Sequence, residues 1–209
     1  LNDAQRVAVE KIDGPVMVIA GAGSGKTRVL TYRIAYLLDK GVDAFNILSL
    51  TFTNKAAREM KERIGKIVGD SESKNLWMGT FHSVFAKILR IEAERLGYPT
   101  NFTIYDADDS KKLISTIIKE KQLDKDIYKA KSVSSRISSL KNNLLTPKAY
   151  FQNGELQAQD SAAKMPMFGE IYQAYTERCF RAGAMDFDDL LLKTNELLYK
   201  FPEVLAKYQ

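Results

Sequence analysis

The run Ala20-Gly21-Ala22-Gly23-Ser24-Gly25-Lys26-Thr27 leaves this chain few folds to choose from. It follows directly on Val16-Met17-Val18-Ile19-Ala20, an uncharged stretch that reads as a buried strand, and it opens a helical pattern with Leu30, Ile34, Leu37 and Leu38 on one face. A glycine-rich turn between a strand and a helix collects backbone N–H groups and the positive end of the helix dipole at one point, which suits a polyphosphate. In such a loop Lys26 reaches the β- and γ-phosphates and the Thr27 hydroxyl ligates Mg²⁺. Gly23 and Gly25 stand where close approach or an unusual φ is required. Ala20 occupies a position where the general pattern expects glycine. The competing reading, a glycine-rich turn that binds nothing, does not account for the strand before it and the helix after it.

The same alternation continues. Ile47-Leu48-Ser49-Leu50-Thr51-Phe52 reads as a second strand about thirty residues after the first, the length of a βαβ unit. A helix with Ala56, Met60, Ile64 and Ile67 on its apolar face comes next. Trp77-Met78-Gly79-Thr80-Phe81 reads as a third strand, and a helix from His82 carries Phe85, Leu89 and Leu96 towards Gly97. Strand and helix in turn predict an α/β fold, a parallel sheet with helices on both faces. Past Tyr105 only helical patterns follow: one capped by Asp106 and Asp109, then residues 131–145, 163–181 and 188–200. This predicts an α/β domain from residues 1–105 and 185–209, interrupted by an all-helical domain at 106–184. Asp186-Phe187-Asp188-Asp189 ahead of an apolar helix reads as an N-cap with helix-dipole charge rather than as a metal cluster.

Composition narrows the setting. An apolar fraction of 45% and a charged fraction of 27% belong to a soluble globular protein, and a net charge of +5 fits a polyanionic partner without requiring one. Cys179 is the only cysteine, which excludes an internal disulfide and a cysteine zinc site and points to a reducing, cytoplasmic setting. The start at Leu1 lacks the layout of a signal peptide, and the apolar runs are too short to span a bilayer. The missing initiator methionine and the end at Tyr208-Gln209 suggest a piece of a longer protein. Residues 127–154 hold Lys129, Lys131, Arg136, Lys141 and Lys148 and no acid. That one-signed run predicts either a solvated helix face or a face that follows duplex DNA.

Five segments in this order and spacing carry a resemblance: Leu1-Asn2-Asp3-Ala4-Gln5, the glycine-rich loop with Arg28, Thr51-Phe52-Thr53-Asn54-Lys55-Ala56-Ala57, Gly79-Thr80-Phe81-His82-Ser83, and Asp186-Phe187-Asp188-Asp189-Leu190-Leu191. Together they resemble the early motifs of the UvrD/Rep helicases of superfamily 1, over essentially the whole chain. The resemblance implies a RecA-like P-loop domain 1A with an inserted helical domain 1B, and ATP and Mg²⁺ as cofactors. It implies that Gln5 reads the adenine edge and that Arg28 flanks the adenine plane. Thr51, Phe52, Thr53, Asn54 and Lys55 match a segment that touches single-stranded DNA, Thr80, Phe81 and His82 match a second, and Phe187 matches an aromatic that lines a base pocket. The partners implied are single-stranded DNA, its junction with duplex, and the C-terminal motor domains.

Elementary chemistry agrees, with bland rivals. Ligands gather at the C-terminal ends of parallel strands in open α/β sheets, and an aromatic there offers a π-face to any base. A phenylalanine at a strand end is more often core, however, and a lone histidine such as His82 is more often a structural group than a ligand.

Hydrolysis needs more than a phosphate cradle: an acid to hold Mg²⁺ and position water, and arginines to neutralise developing charge. After Asp189 the only acids are Glu196 and Glu203, and neither follows an apolar strand. The expectation is therefore an ATP-dependent, 3′ to 5′ DNA helicase as the parent protein, with this chain inactive alone. Rival readings are a small-molecule kinase, a RecB-type helicase–nuclease subunit, and a non-enzymatic module that binds ATP and single-stranded DNA.

Overall fold

Helix α1 (Asp3–Glu10) opens on a reciprocal cap, in which the Asn2 side chain accepts from the Gln5 amide and the Gln5 side chain accepts from the Asn2 amide. Helix α2 (Lys26–Asp39) begins straight after Gly25, whose φ of +83° is a left-handed conformation that glycine holds without strain. Strand β1 (Leu48–Thr51) leads into α3 (Asn54–Val68), capped by the Thr53 hydroxyl accepting from Ala56 N. After α4 (Asp70–Asn75) come β2 (Trp77–Thr80) and α5 (Phe81–Glu92). β1 and β2 pair in parallel, with Leu48 opposite Trp77 and Thr51 opposite Thr80. Ile34 from α2 and Met60 and Ile64 from α3 are buried together with Ile47 and Leu76, which precede the two strands. These elements, with α5 only as far as Val84, make one compact unit, Leu1–Val84, in a computed structural model that describes residues 1–209 apart from the side chain of Asp70.

The expected buried strand at residues 16–20 is not there. The segment joins no ladder, and Met17 and Ile19 are 86% and 91% exposed. Val16 and Val18, half as open, line a groove with Ala8 of α1 and Val29 and Leu30 of α2. An uncharged run is a central strand only when a neighbour satisfies the backbone along its edges and elements cover both faces. Among the described residues β1 and β2 pair with each other and no strand pairs with 16–20, so only one side of the run is covered, by helices.

The second unit, Phe85–Gln209, is mostly helical. It holds β3 (Thr103–Tyr105), α6 (Ala107–Glu120), α7 (Ala130–Asn142), α8 (Pro147–Phe151), α9 (Gly154–Ala162), α10 (Phe168–Arg181), β4 (Ala184–Asp186), α11 (Phe187–Lys200) and α12 (Pro202–Tyr208). β3 and β4 pair in parallel with Tyr105 opposite Asp186, so the helices between them form a crossover that leaves from the end of β3 and re-enters at the start of β4, opposite Thr103. Ile114 and Ile117 of α6, Val133 and Ile137 of α7, and Ile171 and Tyr172 of α10 are buried in one core.

The helix expected at 163–181 is shorter, because Lys164 sits at φ +63° and separates α9 from α10. The Asn153 side chain, accepting from Leu156 N, starts α9 instead. The fold is α/β, dominated by helices, with two short parallel sheets where one larger sheet was expected. No helix among the described residues is long and apolar enough to cross a membrane.

Candidate nucleotide and nucleic-acid site

The glycine-rich loop closes on itself. Ser24 Oγ donates to Gly21 O at 2.7 Å, and the Lys26 ammonium donates to Ala20 O at 3.0 Å and to Gly21 O at 2.6 Å. Gly23 has φ +75°, and a Cβ there would meet nothing within 4 Å, so its need for glycine is conformational. Gly25 is constrained twice: its φ is positive, and a Cβ would stand 3.0 Å from Gln5 Nε2. No side chain caps α2, which leaves the N–H groups of its first turn, at Lys26, Thr27 and Arg28, directed at whatever lies over the loop. Open amides, an ammonium held over the loop and the positive helix end fit a polyphosphate, and exposed Thr27 carries the hydroxyl that could reach its metal.

The structure brings Gln5 and Arg28 to this loop. Gln5 Nε2 donates to Ser24 O at 3.0 Å, across nineteen positions of sequence. Gln5 thereby has its carbonyl engaged in the α1 cap and one N–H on the loop, with the second N–H left over. The Arg28 guanidinium lies 5.8 Å from the centre of the Tyr32 ring, one turn along α2. A groove of about 1020 Å³, lined by Val9, Tyr36 and Phe45 among others, includes no residue of the glycine-rich loop.

The tips of β1 and β2 carry the two segments expected to meet DNA, and the parallel register sets them side by side. Phe52 is 91% exposed, and its ring centre lies 6.0 Å from that of Phe81 with the planes tilted by 43°. A bare phenylalanine at a strand tip gains nothing from water, so Phe52 is not part of the core, and its ring is an aromatic face to which a base could stack. Asn54 and Lys55 are exposed on the first turn of α3. Thr51 and His82 are half-buried.

Two hydroxyls in these segments have structural work. Thr53 caps α3, and the buried Thr80 hydroxyl accepts from Ser83 N at 3.2 Å at the start of α5. Gly79 was not singled out for its role, yet a Cβ there would lie 2.3 Å from Ser83 Oγ. A larger residue there would push the Ser83 hydroxyl off its bonds to Thr80 at the turn.

Phe187 belongs to the second unit. It is the first residue of α11, 52% exposed, on a groove of about 400 Å³ that Tyr105, Lys111, Lys131, Ser134 and Ser138 also line. The Asp186 side chain accepts from Asp189 N at 2.8 Å, and that of Asp189 accepts from Asp186 N at 3.2 Å, the cap expected of these acids.

The basic run is corrected. Lys141 is buried, and its ammonium lies 2.7 Å from Asp186 and 2.8 Å from Asp189. Arg136 binds Asp160 through Nε at 3.1 Å and Nη2 at 3.3 Å. Neither faces solvent as part of a one-signed stripe, because distant acids fold onto them; Lys129, Lys131 and Lys148 remain exposed. Burial opposes the Lys141 charge, but the carboxylates of Asp189 and Asp186 outweigh it and hold the ammonium above its usual range. Burial likewise pushes Asp186 up, and Lys141 more than reverses this. Burial pushes the Asp189 carboxyl up, and against the pull of Lys141 the neighbouring Asp186 keeps it there. The acidic pair on a buried helix start was the one visible cue that a cation had to arrive from elsewhere.

Over residues 1–209 the chain matches the family described as the UvrD/REP helicase N-terminal domain. It is 45% identical over 210 residues to the ATP-dependent DNA helicase PcrA of Staphylococcus aureus (strain NCTC 8325 / PS 47), covering 100% of this chain and 28% of that relative. It is 44% identical over 210 residues to PcrA of Staphylococcus epidermidis (strain ATCC 12228 / FDA PCI 1200), again covering 28% of it. The chain thus spans little more than a quarter of the length of these relatives.

Proposed function

The chain belongs to the UvrD/REP helicase N-terminal domain family, and from that premise we propose that it is the ATP-binding front of a DNA helicase that moves along single-stranded DNA and parts duplex at the junction. ATP is the fuel and Mg²⁺ its counter-ion, with 3′ to 5′ movement as the family resemblance implies. The observation that carries the reading is the pair Phe52 and Phe81, open at adjacent strand tips of the unit that also holds the phosphate loop. In this reading loop amides from Gly21 onward, Ala20, Ala22, Gly23, Ser24 and Gly25 cradle the phosphates. Lys26 exchanges its loop carbonyls for phosphate oxygens, Thr27 holds the metal, and Gln5 and Arg28 take the adenine. Thr51 to Lys55, Thr80 to His82, and Phe187 meet unpaired nucleotides through stacking and polar contacts that any base sequence satisfies.

Residues 1–105 and 185–209 form domain 1A in this proposal, and 106–184 form domain 1B. The pairing of β3 with β4 supports it, since the intervening helices leave from one strand of that pair and return directly into the other. The chain by itself does not turn over ATP. Glu196 is engaged by Lys193 at 2.7 Å and Lys200 at 2.5 Å, and Glu203 by Arg95 at 2.6 Å, so neither is set to hold a metal or align water.

The test is strand displacement and DNA-stimulated ATP hydrolysis by the longest natural protein containing this chain. Both are expected, and Lys26→Ala is expected to abolish both. ATPase activity indifferent to DNA, or displacement that proceeds with a non-hydrolysable analogue, sinks the motor reading. Turnover by the purified chain that Lys26→Ala removes sinks the claim that it is inactive alone.

A further inference from the structure

We infer that Lys141 is a positioning residue for Phe187: from α7 it clamps the β4-to-α11 turn that presents the aromatic ring. The inference rests on the proposed nucleobase contact of Phe187 and adds to it a residue that touches no DNA.

Phe187 stands between Asp186 and Asp188, and the last turn of α7 holds both neighbours. Lys141 Nζ lies 2.7 Å from Asp186 Oδ2 and 2.8 Å from Asp189 Oδ1. The next residue, Asn142, donates through Nδ2 to Asp188 Oδ1 at 2.9 Å. Tyr175 OH is 2.8 Å from Asp186 Oδ2 and 3.0 Å from Ser110 Oγ. Its single proton goes to the carboxylate, so the serine donates to the phenol oxygen. With the two cap bonds, every oxygen of Asp186 and Asp189 has a donor.

Capping alone does not require this lysine. Helix α6 starts with the same device: Asp106 accepts from Asp109 N at 2.8 Å, and Asp109 accepts from Asp106 N at 3.3 Å. That box lies at the surface and has no buried cation. At α11 the box is buried and Lys141, 2% exposed, is buried with it. Burying two carboxylates and one ammonium is costly, and an apolar contact between α7 and α11 would hold the helices together equally well. What the charges add is direction: they fix the backbone on both sides of Phe187 relative to α7, the helix whose Lys131, Ser134 and Ser138 line the same groove as the ring.

The test is a set of double-mutant cycles in the full chain, read by anisotropy of labelled oligo(dT) at low salt and by thermal unfolding. Phe187→Ala is expected to lower affinity about tenfold, the worth of one stacked base. Lys141→Met is expected to cost a similar factor, with no further loss in the Phe187→Ala background. The pair Lys141→Met/Asp189→Asn removes opposite charges together and keeps an oxygen for Asp186 N. Its stability is expected to recover while its affinity does not.

Asn142→Ala, which disturbs no buried charge, is expected to cause a smaller loss that also vanishes without Phe187. Affinity recovering in step with stability, or losses that persist in the Phe187→Ala background, overturn the inference. If Phe187→Ala leaves oligo(dT) affinity unchanged, the nucleobase contact fails instead. The fluorine resonance of 4-fluorophenylalanine at position 187 then decides the matter of Lys141. It is expected to shift or split in Lys141→Met/Asp189→Asn, and an unmoved line rejects the clamp.

Discussion

A few residues at exposed turns carry the whole functional reading, and each can be tested by itself. Phe52 is bonded to nothing that its removal would undo in the core, so Phe52→Ala should leave unfolding within about 0.5 kcal/mol of the parent. It should also weaken oligo(dT) binding by roughly 1–3 kcal/mol, the range for one stacked base. Anisotropy and a melt on the same sample check both, and a large melt shift would show that the ring is core after all. Gln5 is different, because it joins the α1 cap to the carbonyl of Ser24. Gln5→Ala should reduce the preference for ATP over GTP, measured by competition with a fluorescent analogue, and should also lower stability by about 1 kcal/mol through the lost cap. Nothing near Gln5 in sequence announces its bond to the loop. Its part in the cap is legible from Asn2 three positions earlier, whereas its partner nineteen positions on is not.

At the scale of elements, the segment at residues 16–20 shows how composition and partnership differ. Its lack of charge is a property of the residues, but a strand is a property of at least two segments. Met17 and Ile19 face outward, so polar substitution at both should leave the melting of this chain within about 0.5 kcal/mol. Val18→Ala, which loosens the packing on α1 and α2, should cost more, as denaturant titration of the two variants would reveal. Equal costs would mean that the outer face is covered in solution. Helices fared better than strands, since their caps are local. Asp106, Thr146, Asn153 and Asp186 all accept from an amide three residues on, as their side chains suggest.

At the scale of the molecule, titratable groups in the unit Phe85–Gln209 set limits of pH. Lys207 and Arg95 hold Glu92 below its ordinary value of 4.5, and against its burial Lys193 and Lys200 do the same for Glu196. Depressed carboxylates favour the folded state fully above their ordinary values, and that contribution disappears as pH falls through the lower folded ones. Burial pushes the Cys179 thiol from 9.0 up to about 12, so its contribution is complete below pH 9 and fades as pH climbs towards 12. Helical circular dichroism should therefore melt at falling temperatures below about pH 4.5 and above about pH 9. The thiol should react with alkylating agents only once the unit unfolds, and prompt alkylation of native protein would contradict its burial. What the sequence determined by itself was whatever depends on near neighbours along the chain: the glycine-rich turn into α2, the capped helices, the two strands β1 and β2 with the helices that follow them, and motifs specific enough to indicate the family. Tertiary structure alone decided which charges face water and which runs find a partner. Lys141 reads as a surface cation until residues 45 and 48 positions away bury it, and no pattern around it encodes that meeting. Local bonds are written in spacing, but burial and charge pairing are set by the chain's return, where desolvation and Coulomb attraction are settled together.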